Sequence, residues 1–159
     1  MSVLPGFKVY EILSKINELN EKQLQPAGVD LTLDKVFTFS SIGQIKRDNV
    51  SLPEVKELEG SKFFLKPGCY KIRFREIVEI PEDCIALAFP RSSLLRMGAT
   101  INLAVWDPGY KGRGEALLIV TNPHGIILEK GARIVQIVYF RLEEKPKEKY
   151  SGQYQGENI

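Results

Sequence analysis

Two short stretches carry residue types that could do chemistry on a phosphorylated substrate: Pro90-Arg91-Ser92-Ser93 and Asp107-Pro108-Gly109-Tyr110. In the first, an apolar run ends at a proline, and two serines open about one helical turn that Gly98 closes. Serines at a helix start normally cap free backbone N–H groups. The same N–H groups, with two hydroxyls and with Arg91 and Arg96 on either side, also make an anion pocket suited to a triphosphate. In the second stretch, Asp-Pro-Gly is good turn chemistry, and it falls between two predicted strands, at a hairpin tip. Trp106 and Tyr110 bracket the Asp107 carboxylate. A carboxylate beside aromatic surface can orient a water or act as a general base.

Two further elements place polar groups inside apolar runs. Gln25-Pro26-Ala27-Gly28-Val29-Asp30-Leu31 sets Asp30 within a strand, where a carboxylate usually faces solvent. In Lys130-Gly131-Ala132-Arg133-Ile134-Val135-Gln136-Ile137 a turn feeds an apolar strand whose single amide is Gln136, ordinarily the polar residue of an edge strand.

The elements that must position these groups are mostly strands. Short apolar runs recur at Val29–Leu33, Val36–Phe39, Phe63–Leu65, Tyr70–Phe74, Ile85–Phe89, Ile101–Val105, Ala116–Val120, Ile126–Leu128 and Ile134–Phe140. They are broken at Lys66-Pro67-Gly68, Ile80-Pro81-Glu82-Asp83, Asn122-Pro123-His124-Gly125 and Glu129-Lys130-Gly131, where Pro, Gly or Asn lets the backbone reverse. Many short strands at regular spacing predict an all-β sandwich or barrel. Ahead of them, Ile12, Leu13, Ile16 and Leu19 recur at helical spacing and predict one amphipathic helix within the segment 1–22. Ser40 to Gly60 is polar and irregular and reads as a long surface loop. The segment 141–159, charged and then polar with Tyr150 and Tyr154, reads as a mobile tail.

Composition bounds the partners. The chain of 159 residues has ordinary globular proportions for one domain, spanning 1–159. Lys and Arg number 22 against 20 Asp and Glu, so there is no global basic field for nucleic acid, and any anion site is local. Cys69 and Cys84, with one histidine, fit neither a zinc site nor a disulfide framework, and both read as buried structural thiols. No apolar run reaches the roughly 18 residues of a membrane span, and Met1-Ser2-Val3-Leu4-Pro5 lacks the layout of a signal peptide, which points to the cytoplasm.

Taken in order, Pro-Ala-Gly-Val-Asp-Leu, Pro-Arg-Ser-Ser-x-x-Arg-x-Gly, Asp-Pro-Gly-Tyr-x-Gly, Gly-x-x-Ile-x-Gln and a terminal Tyr-Gln-Gly make a pattern from Gln25 to Gly156. It resembles the dUTPase and dCTP deaminase superfamily. The resemblance implies a distorted jelly-roll β-barrel, a homotrimer, and active sites built at subunit interfaces from motifs of different chains. Fold does not choose the reaction. The family's deaminases carry a catalytic glutamate three residues before an asparagine that ends the strand after the Asp-Pro-Gly turn; aligned on Asn122, that position is Ile119. Isoleucine cannot shuttle protons, which favours dUTP hydrolysis. Asp107 to Asn122 runs about two residues longer than the family spacing, around Gly112-Arg113-Gly114, and Glu115 lies nearby. The Pro-Arg-Ser-Ser-Leu-Leu-Arg motif and the Tyr-Ser-Gly-Gln-Tyr-Gln-Gly tail look more like the deaminase branch. Three readings follow: a dUTP diphosphatase, a dCTP deaminase or bifunctional enzyme, and a non-catalytic nucleotide-binding trimer.

For the first reading the resemblance implies roles. Asp107 activates the water that attacks the α-phosphorus of dUTP. Tyr110 packs beneath the deoxyribose and leaves no room for a 2′-hydroxyl. Backbone groups around Thr100 to Val105 read uracil, rejecting cytosine at a cost of roughly 1–3 kcal/mol for an unmatched donor. Arg91, Ser92 and Ser93 hold phosphates, with Arg96 flanking, and Gln136 holds the β-phosphate region. Asp30 belongs to the shell of a Mg²⁺ ion. Lys149, Tyr150 and Tyr154 come from the tail that closes on the nucleotide.

Overall fold

The predicted turn-punctuated strands pair antiparallel. In the computed structural model, which describes residues 2–159, the main sheet runs Ser2–Val3, Arg133–Arg141, Gly28–Phe39, Gly68–Phe74, Glu115–Val120, Ala99–Asn102. Cys84–Pro90 pairs with Arg133–Arg141, and Leu24–Gln25 and Val55–Glu57 pair with Gly28–Phe39. Lys62–Leu65 and Ile126–Glu129 form a separate ribbon. Along Glu115–Val120 the burial alternates, with Ala116, Leu118 and Val120 inward, which is the period of two that a curled sheet needs to enclose a core. The result is the all-β jelly-roll barrel with a short N-terminal helix that the sequence implied.

The long strand Gly28–Phe39 is buried without a break from Gly28 to Leu33. It lies between strands, and helix Gly6–Ser14 packs against it with Val9 and Leu13 fully buried. A strand covered on both faces loses its polar side. Asp30, expected to face solvent, is therefore 1% exposed.

Other expectations need correcting. The helix stops at Ser14, short of Ile16 and Leu19, because the Asn17 side chain turns back to donate to the Leu13 and Ile77 carbonyls and to accept from the Ile77 amide. Such local side-chain bonds compete with helix continuation. The segment from Ser40 to Gly60 is not wholly a loop: it holds a small hairpin, Gln44–Ile45 with Val50–Ser51, and the strand Val55–Glu57. Cys84 is buried, and burial pushes its thiol up to about 11. Cys69 is exposed instead, at the uncovered start of Gly68–Phe74. Among the described residues no helix is long and apolar enough to cross a membrane.

Candidate active site

Asp107 and Tyr110 sit on a wide connection, not at a hairpin tip. The strand expected over Ile101–Val105 ends at Asn102. Trp106 then exchanges two backbone hydrogen bonds with Ala86, each 3.0 Å, and Lys111–Gly112 pairs with Val78–Glu79. Between these ties the Gly109 amide donates to the Ile80 carbonyl, and the Ile80 amide to that of Tyr110. Gly109 has φ +82° and faces the Lys149 side chain, so the turn requires glycine. Asp107 projects from this anchored loop, exposed, with no ion pair among the described residues.

Tyr110 is the opposite: 4% exposed, with its hydroxyl donating to Glu157 at 2.7 Å. Burial, reinforced by the carboxylate, raises its phenol far above the ordinary value, so it stays protonated. Tyr150 meets the Tyr110 ring edge-on at 5.7 Å. Asp107, Tyr110, Tyr150, Tyr154 and Glu157 line one cavity of about 360 Å³, with Asn102, Trp106 and Leu103 to Val105 on its walls. Lys149 stands at its margin, beside Gly109 and 3.8 Å from Glu82.

The second predicted constellation assembles elsewhere, by strand register. Phe89 lies opposite Gln136, and Gln136 opposite Asp30. A register shift between Arg133 and Val135 marks a bulge, which turns Arg133 toward the same point. Asp30 thus forms an ion pair with Arg91 at 3.2 Å and accepts from Arg133 at 3.3 Å and Gln25 at 3.1 Å, and Arg133 also donates to the Lys22 carbonyl. Burial raises the Asp30 carboxyl pKa, against the pull of the two guanidiniums. In the helix Ser92–Arg96 the N-cap position belongs to Arg91, and no side chain caps it. Ser92 and Ser93 are exposed and their hydroxyls are not spent on capping, contrary to the ordinary role of such serines. Arg96 is exposed in the last turn. Ser93 and Arg133 border a hollow of about 320 Å³ that shares no lining residue with the Asp107 cavity.

The metal role expected of Asp30 does not fit. Its buried carboxylate is engaged by two guanidiniums and an amide, and a dication there would sit against two positive charges. No group of three or more His, Cys, Asp or Glu able to hold a metal occurs among the described residues.

Ile119 lies on Glu115–Val120 opposite Cys69 and Thr100, with no carboxylate at either position. The next carboxylate on that strand, Glu115, is four residues away, about 13 Å, and is ion-paired with Lys71 at 2.8 Å and Arg73 at 2.9 Å. Sequence reasoning missed Lys71 and Glu157 as cavity residues. Lys71 and Arg73 become visible only through cross-strand pairing with Leu117 and Glu115, and Glu157 stands in a polar tail with no periodic signal.

Comparison with known proteins places the molecule. Residues 9–142 match the family model of dCTP deaminase-like proteins, and the chain belongs to that family. It is 45% identical over 138 residues to a probable deoxyuridine 5′-triphosphate nucleotidohydrolase of Aeropyrum pernix, covering 86% of this chain and 87% of the relative. It is 41% identical over 146 residues to the deoxyuridine 5′-triphosphate nucleotidohydrolase of Methanocaldococcus jannaschii, covering 88% and 92%. The crystal structure of 2′-deoxycytidine 5′-triphosphate deaminase from Agrobacterium tumefaciens shares the fold, with a TM-score of 0.64 at 23% identity over 86% of this chain and 47% of that one.

Proposed function

We propose that the protein is a dUTP diphosphatase, converting dUTP and water to dUMP and pyrophosphate. The observation that carries this reading is the pairing of an exposed Asp107, without an ion-pair partner among the described residues, with a buried, neutral Tyr110 on one cavity, in a chain whose relatives are named deoxyuridine triphosphate nucleotidohydrolases. Asp107 takes a proton from water as its oxygen attacks the α-phosphorus. The bond from that phosphorus to the bridging oxygen breaks, and pyrophosphate leaves with the electron pair. Tyr110 supports the deoxyribose and refuses a 2′-hydroxyl. Leu103 to Val105, which have left the strand ladder, present backbone to the base. Tyr150 and Tyr154 close the cavity from the tail, with Lys149 at its edge.

Arg91, Ser92, Ser93 and Gln136 receive the triphosphate, with Arg96 alongside. Their separation from the Asp107 cavity within one chain supports sites completed between copies, as a homotrimer would provide. Asp30 acts as a clamp that aims Arg91 and Arg133, not as a metal ligand. Magnesium enters as part of the substrate, on the phosphate oxygens of Mg·dUTP. The enzyme is read as cytoplasmic. Deamination finds no support at Ile119, and the only nearby carboxylate on its strand is neutralised by two cations.

Purified protein given Mg·dUTP is expected to release pyrophosphate, and given dCTP to release no ammonia. Ammonia from dCTP would instead establish the deaminase or bifunctional reading. Nucleotide binding with neither product would establish a binding trimer.

A further inference from the structure

We propose that Glu157 is a positioning residue for Tyr110, so that the C-terminal segment sets discrimination between deoxyribo- and ribonucleotides. This rests on the sugar-binding role of Tyr110 argued above. A buried phenol needs an acceptor for its hydroxyl, and the Glu157 carboxylate supplies it at 2.7 Å, with the Trp106 side chain also directed at the phenol oxygen. The pair is packed against Gly112, where a Cβ would come within 2.7 Å of the Tyr110 oxygen and 3.1 Å of Glu157 Cγ. Tyr150 bounds the ring from its edge. Ring plane and hydroxyl direction are thus fixed by groups that lie entirely in the tail and the facing loop.

The tail holds Glu157 in place through its own backbone. The Gly156 amide donates to the Lys111 carbonyl at 2.8 Å, and the Arg113 amide donates to the Glu157 carbonyl at 2.9 Å. The Asn158 side chain donates to the Arg113 carbonyl at 3.0 Å, and the Arg113 guanidinium to the Asn158 carbonyl at 2.8 Å. Residues 156–158 therefore lie along 111–113 as an added edge. A ring free to tilt would open the space that a 2′-hydroxyl needs, whereas a ring held at its oxygen cannot.

The test compares Glu157→Ala, Glu157→Gln and Tyr110→Phe, and the double variant Glu157→Ala/Tyr110→Phe, by kcat/KM for dUTP and UTP. Trp106, the only tryptophan and a wall of the cavity, gives a second readout through fluorescence titration with dUDP and UDP. Glu157→Ala is expected to lower the dUTP over UTP ratio about tenfold or more, the range of a hydrogen bond to a charged group. Glu157→Gln keeps an acceptor and should retain most of the ratio. Tyr110→Phe should match the alanine variant, and the double variant should fall no further. An unchanged ratio in Glu157→Ala, even with a lowered Tm, would reduce Glu157 to a tail staple and overturn the proposal. If the wild type fails to hydrolyse dUTP, the functional reading fails, and the dUDP over UDP binding ratio still decides the role of Glu157. Absence of both turnover and dUDP binding sinks both.

Discussion

Asp30, Arg91, Arg133 and Gln136 meet because three strands fix their register, whereas Asp107, Tyr110, Tyr150 and Glu157 meet because a loop and the tail pack on one another. The first group is built into the sheet. Its carboxylate is 1% exposed and already held by two guanidiniums, which leaves one positive charge over. The second is held by turn and tail contacts, and its key carboxylate, Asp107, is exposed and unmatched among the described residues. The difference separates a scaffold that aims cations from a surface to which we assign the chemistry and the closure. Charges satisfied internally act on stability, while a charge left unsatisfied is available to a substrate.

Substitutions on each side should then fail in different ways. The largest expected effect is that of Asp107→Asn, which should lower kcat for dUTP about 10²–10⁴-fold with Tm unchanged, measured by pyrophosphate release and thermal melting. Full turnover in this variant would remove Asp107 as the base. Asp30→Asn should act first on stability, with KM for dUTP raised through the loosened Arg91. It strands two partly buried guanidiniums, costs about 2–3 kcal/mol, and lowers Tm by roughly 5–10 °C. The magnesium concentration for half-maximal turnover should not move in that variant. A shifted magnesium requirement with unaltered Tm would return Asp30 to the metal.

Tyr150→Ala, on the closing side, should raise KM for dUTP about threefold to tenfold through loss of the aromatic pair, worth about 1 kcal/mol. Its Tm should fall by no more than a few degrees. A Tm loss as large as that of Asp30→Asn would mean that the tail belongs to the scaffold.

The smallest effect concerns pH. Burial raises the Glu157 pKa above the ordinary value, against the pull of Tyr110, Arg73 and Lys71, and Glu115 adds to the rise. The folded protein therefore binds this proton more tightly than the unfolded chain does. Stability from the docked tail is fullest below the unfolded value near about 4.3 and declines as pH rises through the folded value. Tyr110, with its own pKa raised, stays neutral throughout. The Tm of the wild type relative to Glu157→Gln should thus be highest in acid and fall toward neutrality. A difference that grows with pH would reverse the assignment.

By itself the sequence determined the strands and turns, since Pro, Gly and Asn act through local backbone geometry; Gly109 at φ +82° and Gly131 at φ +85° take the left-handed conformation that such turns favour. It also showed the Asp107 to Tyr110 motif and, through Ile119, the lack of a deaminase-type carboxylate, because those are matters of residue type and short spacing. Only the tertiary structure decided what each charge faces. Asp30 looked like a free carboxylate until strands far apart in sequence placed Arg91 and Arg133 on it. Ser92 and Ser93 could be read as caps or as phosphate ligands until the N-cap position fell to Arg91. The strand over Ile101–Val105 is cut at Asn102 because Trp106 leaves to pair with Ala86. Glu157 reaches Tyr110 across a separation of 47 residues. Strand register and tail docking are set by the summed packing of the whole chain, and no local pattern encodes which distant partner a buried carboxylate or phenol will meet.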